Sequence, residues 1–486
     1  MTSPRASGAD VGFEQSALDR VIDFVLGSHW ESLPSAVQQK VHLCLIDDVG
    51  ALLVGARTPV GHIIADYVGS DWPGDQATVF ATWKRSSPAG AALANGFAAN
   101  ATDIDDCGIY TWGHPGALLL ASTLAVSESA GASGEDLLTA LTVGYEVAFR
   151  TARCFHDHDS HYRACASWGS VACAAASARI MGLGRNETAH ALGIAEFFSP
   201  DAPVMTSVAW PSMSKHAMGW GAMTGVMAAQ FAARGFTGVP SLLGLPKYGP
   251  WIEDIGEEYL LPHGITWKEF SCCAWAHPAI LAVRQLMSDQ PFGAEDVQAI
   301  SVETFSEACS LGGGVPSSSE EAQFSVAWPV AAFVVDGEVA SAQVTTRLAD
   351  PLIRDIAARI TVIERPDFTR LAHLAEQNQG EGATCAVVTV DLRNGKRLIS
   401  DVANHVLYPE SPWSFTEVAA KFRALAGDVL GPETAERCLR LLADFAAVER
   451  VVELIQTLEP GCRRGEDAAA GLGGLSIHAG VDQEGG

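Results

Sequence analysis

The residues best equipped for chemistry lie in one short stretch, Asn100 to Gly116, NATDIDDCGIYTWGHPG. Asp103, Asp105 and Asp106 crowd together there, and His114 follows in a Gly-His-Pro-Gly turn. Carboxylates this close repel one another and raise each other's proton affinity unless cations or backbone N–H groups compensate. With a histidine nearby the cluster suits acid/base chemistry, because an imidazole titrates near neutral pH. It also suits half of a divalent-metal site, since oxygen-rich clusters attract Mg²⁺ or Ca²⁺. The spacing lacks the alternating oxygens and closing Glu of a calcium loop. A third reading is local: the aspartates cap N–H groups and His-Pro-Gly opens the next helix. Taken alone, the stretch leaves capping and catalysis open.

Cations able to meet such carboxylates, or an anionic substrate, are scarce. The chain has 486 residues, 31 Lys plus Arg and a formal charge of −26, with a pI near 4.8. That balance argues against nucleic acid, whose phosphates demand clustered Lys and Arg, and against an anionic membrane surface. Each basic residue near a candidate site therefore carries information. The eleven cysteines form no C-x-x-C pair and no zinc-ligand spacing, so structural zinc and iron–sulfur clusters are not expected. The opening segment, MTSPRASGADVGFEQS, has no apolar core of a secretory signal, and no stretch has the length and apolarity of a membrane span. A soluble, cytoplasmic protein is the expectation.

These residues must be positioned by a large fold. With 48% hydrophobic residues and a mean hydropathy of +0.15, the chain can bury an extensive core in two or three domains. From Gln15 to about Arg234, apolar residues recur at three- and four-residue intervals between Ser, Pro and Gly breaks, the pattern of an α-helical array. Runs such as GSVACAAASARIMGLG and HAMGWGAMTGVMAAQFAARG are rich in Ala and Gly, which permits close helix approach and deep burial. The character changes near Trp267. AISVETF (299–305) reads as a strand, and TCAVVTVDLRNGKRLISDV (384–402) as a hairpin turning at Asn394-Gly395. HPAILAVRQLMSD and FSVAWPVAAFVVDG between them read as helices. After Tyr408 helical periodicity returns. The fold class is thus mainly α: a helical domain, 13–266 plus 405–460, with an inserted, smaller α+β domain at 267–404. Residues 1–12 and 461–486 are short of large apolar side chains and are expected to be disordered.

Seven segments in order give the chain a resemblance to the MmgE/PrpD family over about residues 15 to 457: CLIDDVGALLVGA; NGFAANATDIDDCG with GHPG; SWGSVACAAASARIMGLG after a histidine; SMSKHAMGWGAMTGVMAAQFAARGFTG; KEFSCCAWAHPAI; EAQFSVAWPVAAFVVDG; and VLYPESPWSFTEVAAKFRALAG. The family includes 2-methylcitrate dehydratase, cis-aconitate decarboxylase and iminodisuccinate epimerase. The resemblance implies a helical domain with a smaller lid, an active site between them, a homodimer, and neither metal nor organic cofactor. It implies catalytic roles for Asp103, His114, Lys215, Lys268 and His277. His161 matches a further pocket histidine, and His216 is an alternative to Lys215. Cys107, Trp112 and Arg163 join them as substrate-contacting candidates.

The reactions of such a family share one physical problem. A carbon beside a carboxylate must gain or lose a proton, or lose CO₂, and the enolate-like species formed concentrates negative charge. Preorganised cations and donors in a water-poor cleft stabilise it; Lys215, Lys268 and Arg163 are the candidates, with His114 and His277 as acid or base. Asp103 orients a histidine or meets a substrate hydroxyl, while Asp105 and Asp106 act as supports or caps. Cys107 stands where the decarboxylase pattern has Thr, and Trp112 where many relatives have Lys. The loss of that positive charge suggests a substrate with fewer carboxylates, or a bulkier and more apolar one, with Trp112, Trp168, Trp210, Trp220 and Trp275 as candidate pocket walls. His156 and His158 are expected at the surface, and Cys272 and Cys273 in structural roles. The leading expectation is a cofactor-independent lyase acting on a small carboxylic acid by decarboxylation or dehydration. Epimerisation of the iminodisuccinate type, a non-catalytic carboxylate-binding member of the fold, and a metal-dependent hydrolase built on Asp-Ile-Asp-Asp are the alternatives.

Overall fold

The computed structural model describes residues 15–459 apart from 159–161, 377–381 and 406–412. The ends expected to be disordered, 1–12 and 461–486, lie outside the described residues.

Two hydrophobic cores organise the chain. The first gathers residues from Leu18 to Trp267 and resumes from Val418 to Leu458; the second runs from Phe270 to Leu398 and recruits Val208 from the helical side. The chain is mainly α, and the first core is built from helices such as Ser35–Gly55, Pro115–Ala130, Gly134–His158, Ala166–Ile180 and Met218–Ala232. Pro115 starts its helix at the position where no N–H is needed, and every residue from Pro115 to Ser127 is buried, so this helix runs through the centre. The Ala- and Gly-rich helices pack as their composition suggests. A Cβ on Gly225 would lie 2.4 Å from the Cβ of Cys173, a separation that only glycine permits between Met218–Ala232 and Ala166–Ile180.

The stretch read as wholly helical contains a short antiparallel pair, Ala77–Val79 with Lys84–Ser86. Strands of three residues are too short to show a period of two. Asn95 secures the pair: its side chain donates to the Thr78 carbonyl at 2.9 Å and accepts from the Phe80 N–H at 3.0 Å. A second small pairing, Cys107–Gly108 with Ile265–Thr266, ties the acidic loop to the segment that leads into the second core.

That second core lies against a sheet ordered Ile360–Glu364, Val297–Thr304, Thr384–Leu392, Arg397–Ile399, with Ala403–His405 also on Thr384–Leu392. The expected hairpin forms: Thr384–Leu392 pairs antiparallel with Arg397–Ile399, and the Leu392 N–H meets the Lys396 carbonyl at 2.8 Å. Strand Ile360–Glu364, parallel to Val297–Thr304, was not expected. It lies at the sheet edge with only Ile360 buried, so it lacks the alternation by which strands are recognised. Helices His277–Asp289 and Ala327–Asp336 cover the sheet, and Phe415–Leu430 returns to pack on Ser35–Gly55. A capping box starts that last helix, with Ser414 N–H on Glu417 Oε2 at 2.7 Å. Among the described residues no helix is long and apolar enough to cross a membrane.

Candidate active site

The helix Pro88–Ala99 delivers the chain into the acidic loop, and the three aspartates then diverge. Asp103 has φ 57, a left-handed conformation that costs a non-glycine residue about 1–2 kcal/mol, and its carboxylate is buried. It is ion-paired with Lys268 through Oδ2 and with Lys215 through Oδ1 at 3.1 Å, and His114 Nε2 lies 3.8 Å from Oδ1. Burial alone would favour the neutral acid, but Lys215, Lys268 and His114 together hold its carboxyl well below the usual range. Burial likewise opposes the charge on Lys268, and Asp103 overrides it so that the ammonium is held on more tightly than usual.

Asp105 accepts from Asn100 Nδ2 at 2.8 Å and sits 3.3 Å from His114 Nδ1. The same nitrogen is 2.8 Å from the Asp106 carbonyl. A carbonyl only accepts, so Nδ1 carries a proton and Nε2 is the nitrogen left to titrate. Burial disfavours the imidazolium, yet Asp105 and then Asp103 outweigh it and raise the His114 pKa. Asp106 points the other way, accepting from Gly116 N–H at 2.9 Å at the start of the Pro115–Ala130 helix, as a cap, and from Tyr145 OH at 2.7 Å. The same phenol is 3.0 Å from Asp48 Oδ2. Burial pushes Asp106 up to about 7; burial, with Asp106 beside it, pushes Asp48 well above its usual range. Capping and ion pairing are therefore both present, through different aspartates of one cluster.

Lys215 arrives from a tight turn before the helix Met218–Ala232, with φ 39 at Lys215 and φ 56 at Ala217. Its Nζ donates to the Asn100 carbonyl at 2.5 Å and to Gln323 Oε1 at 2.8 Å. Gln323 belongs to the second core's side of the molecule and also reaches the Ala101 carbonyl at 3.0 Å, so it clamps the two halves around Asp103. Of the five non-glycine residues with positive φ among the described residues, four (Asp103, Trp112, Lys215 and Ala217) lie in this region. Such backbone strain concentrates at functional sites.

Over this ionic base lies a cavity of about 100 Å³ between the two halves. Cys107, Trp112, His114 and His216 form its helical-domain wall; Trp275, Phe305 and Phe324 face them from the other domain. Burial first, and the neighbouring His114 second, push His216 down to about 3, so it is neutral; its ring lies 5.5 Å from that of His114. Burial lifts the Cys107 thiol to about 12.

Asp103, His114, Lys215, Lys268 and His216 thus come together, although Lys215 and Lys268 lie beneath the cavity wall, on Asp103. His277 begins its helix inside the second core, buried and edge-on to Phe270 with ring centroids 5.1 Å apart, and it does not line the cavity. Arg163 is buried and ion-paired with Asp201, also off the cavity wall. His161 lies outside the described residues. Of the tryptophans, Trp112 and Trp275 line the cavity, Trp168 is in the core, and Trp210 and Trp220 are exposed. His156, expected at the surface, is half-buried and stacks on Trp112 at 4.3 Å. Cys273 reaches the cavity wall while Cys272 stays in the core. Gln323, Asn100, Tyr145 and Asp48 were missed. Asp48 sits in CLIDDVG within a helix, where a paired Asp-Asp among apolar residues was the available signal.

Known proteins share this arrangement of segments. The MmgE/PrpD N-terminal domain matches residues 19–251 and the MmgE/PrpD C-terminal domain residues 270–446. The second match runs past the second core into helices that pack on the first. A cis-aconitate decarboxylase of Aspergillus terreus (strain NIH 2624 / FGSC A1156) is 23% identical over 479 residues, covering 89% of this chain and 94% of the relative. A cis-aconitate decarboxylase-like protein, oryM, of Aspergillus oryzae (strain ATCC 42149 / RIB 40) is 24% identical over 467 residues, covering 87% and 93%. With both family domains matched in order along the chain, this protein belongs to the MmgE/PrpD family.

Proposed function

We propose that the chain is a cofactor-independent carboxy-lyase that removes CO₂ from a small unsaturated carboxylic acid and returns a proton to the carbon left behind. Family membership and the decarboxylase relatives support a lyase-type enzyme acting on a carboxylate. The observation that carries the finer reading is the orientation of His114: Nδ1 fixed by Asp105 and the Asp106 carbonyl, Nε2 free to titrate beside the Asp103 ion-pair cluster, and the ring on the cavity wall. A raised pKa keeps Nε2 protonated and able to act as an acid. The electron pair of the breaking C–C bond passes into the substrate's conjugated system, and Nε2–H then delivers its proton to the carbanionic carbon. The positive charge of Lys215 and Lys268, fixed in place by Asp103, stabilises that build-up of charge without reorganisation. Neutral His216 adds a hydrogen-bonding group on the same wall.

Incubation with cis-aconitate, 2-methylcitrate and iminodisuccinate in D₂O, followed by NMR, tests this. CO₂ loss with deuterium at the former carboxyl-bearing carbon is expected. Loss of water would make the enzyme a hydro-lyase, and C–H exchange with inversion an epimerase. Carboxylate binding with neither exchange nor turnover would make it a binding protein. Activity should survive dialysis against a chelator. A second copy is the expected partner: Trp220 and Phe231, both exposed, are eleven residues apart on one helix and so share a face, and Phe236 packs on Phe231 at 5.8 Å. A dimer by light scattering, lost in Trp220→Glu, would support it. The cytoplasm is the proposed location.

A further inference from the structure

We infer that the cavity takes a monocarboxylic acid whose body is aromatic or a bulky alkyl group, rather than a tricarboxylate. This deepens, and rests on, the carboxy-lyase reading. Charge is the first argument. On the described cavity wall the only side chains that can become cations are His114 and His216, and His216 is neutral. Lys215 and Lys268 lie below the wall with Asp103 between them, and Arg163 is held by Asp201. With Asp105 on His114, two carboxylates face two ammoniums and one imidazolium, which leaves a single net positive charge for the substrate. The internal segments outside the described residues, 159–161, 377–381 and 406–412, contain no Lys or Arg, and His161 is their one histidine. A second or third substrate carboxylate would leave water for a low-dielectric site with no fixed cation to meet it, an arrangement that strongly disfavours binding.

Shape is the second argument. Trp112, Trp275, Phe305, Phe324 and Val208 supply bulky apolar faces of the wall, drawn from both halves of the molecule. Trp112 is immobilised by stacking on His156, and Trp275 by edge contact with Phe305 at 6.4 Å. Rigid aromatic faces around one charged end match an aryl or branched alkyl acid.

The test is calorimetric titration of the full-length protein with 4-phenylbut-3-enoate, which has one carboxylate, and with cis-aconitate, alongside deuterium exchange at the carbon next to the carboxylate. The aryl acid is expected to bind at least about tenfold more tightly, and Trp275→Ala, checked by circular dichroism for retained fold, to weaken it about tenfold. Equal or tighter binding of cis-aconitate with turnover would overturn the inference and leave the carboxy-lyase reading standing. Exchange or turnover of no carboxylate would overturn that reading. A Trp275→Ala protein that binds the aryl acid as well as the parent would overturn the aromatic-wall argument.

Discussion

Tyr145→Phe removes a single oxygen on which two buried acids depend. The phenol has one proton, yet Asp106 Oδ2 lies 2.7 Å and Asp48 Oδ2 3.0 Å from its oxygen. Tyr145 can donate to only one of them, so the other acid must be protonated and donate to the phenol. Asp106 is the better acceptor partner, since its contact is shorter and Gly116 N–H also reaches it at 2.9 Å. Asp48, pushed well above its usual range by burial and by Asp106, is the donor. The chain of proton donation therefore runs from Asp48 through Tyr145 to Asp106. Phenylalanine leaves both acids without that partner in a site where Tyr145, Asp48 and Asp106 are at most 1% exposed. The bond to ionised Asp106 contributes about 1.5–3 kcal/mol and the bond from neutral Asp48 about 0.5–1.5 kcal/mol, so losing both costs about 2–4.5 kcal/mol. For a large domain that corresponds to a midpoint lower by about 4–9 °C.

The pH dependence has a definite sign. Asp106 titrates at about 7 in the fold against an ordinary 3.8. Between those values the native state holds a proton that the unfolded chain has released, so this stabilisation is complete below the ordinary value and is lost as pH rises through 7, at about 1.4 kcal/mol per unit for one proton. Without the phenol, Asp106 loses a donor that favours its charged form, and the difference between the variant and the parent should widen from pH 5 to pH 8. Urea unfolding of both proteins at the two pH values measures this. Because the Asp106 carbonyl holds His114 Nδ1, kcat should fall with KM nearly unchanged, and Asp48→Asn in the same background should recover part of the stability. A cost below about 1 kcal/mol, or a difference that grows toward low pH, would refute the shared-proton argument.

Lys268→Met should lower kcat by about a thousandfold, because it removes one fixed cation and leaves Asp103 half-paired; the same buried ion pair makes a stability loss of about 3–5 kcal/mol expected in thermal melts. Gly116→Ala should fail to fold or melt far below the parent, since a Cβ there would fall 2.1 Å from Asp48 Oδ2 in a rigid carboxylate network. Ala217→Gly relieves a left-handed residue and should stabilise the protein by about 0.5–1 kcal/mol in urea titration. His277→Ala, in the packed second core, should cost about 2–3 kcal/mol of stability; a kinetic defect with an unchanged melting profile would instead place His277 at the reacting atoms.

What the sequence revealed and concealed follows from the range of each interaction. The helices were legible because burial of one face repeats every three to four residues, and the hairpin because Asn394-Gly395 interrupts an apolar run. Edge strand Ile360–Glu364, with one buried residue, carries no such record. The same limit governs the site. Asp105 and Asp106 could be read as supports because the groups they serve, His114 and Gly116, are within eleven residues of them. Gln323 could not, since its task is to reach across more than two hundred residues to Ala101, and neither could Tyr145, whose hydroxyl meets Asp48 and Asp106 from a third element. Opposite charges at positions 103, 215 and 268 give no local sign that they will meet. Resemblance supplied those names, but not the ion pairs of both lysines with Asp103, on which the proposed monocarboxylate preference rests. The departure at Trp112 pointed the same way, and the proposal is supported by a described wall that carries no Lys or Arg and several aromatic faces.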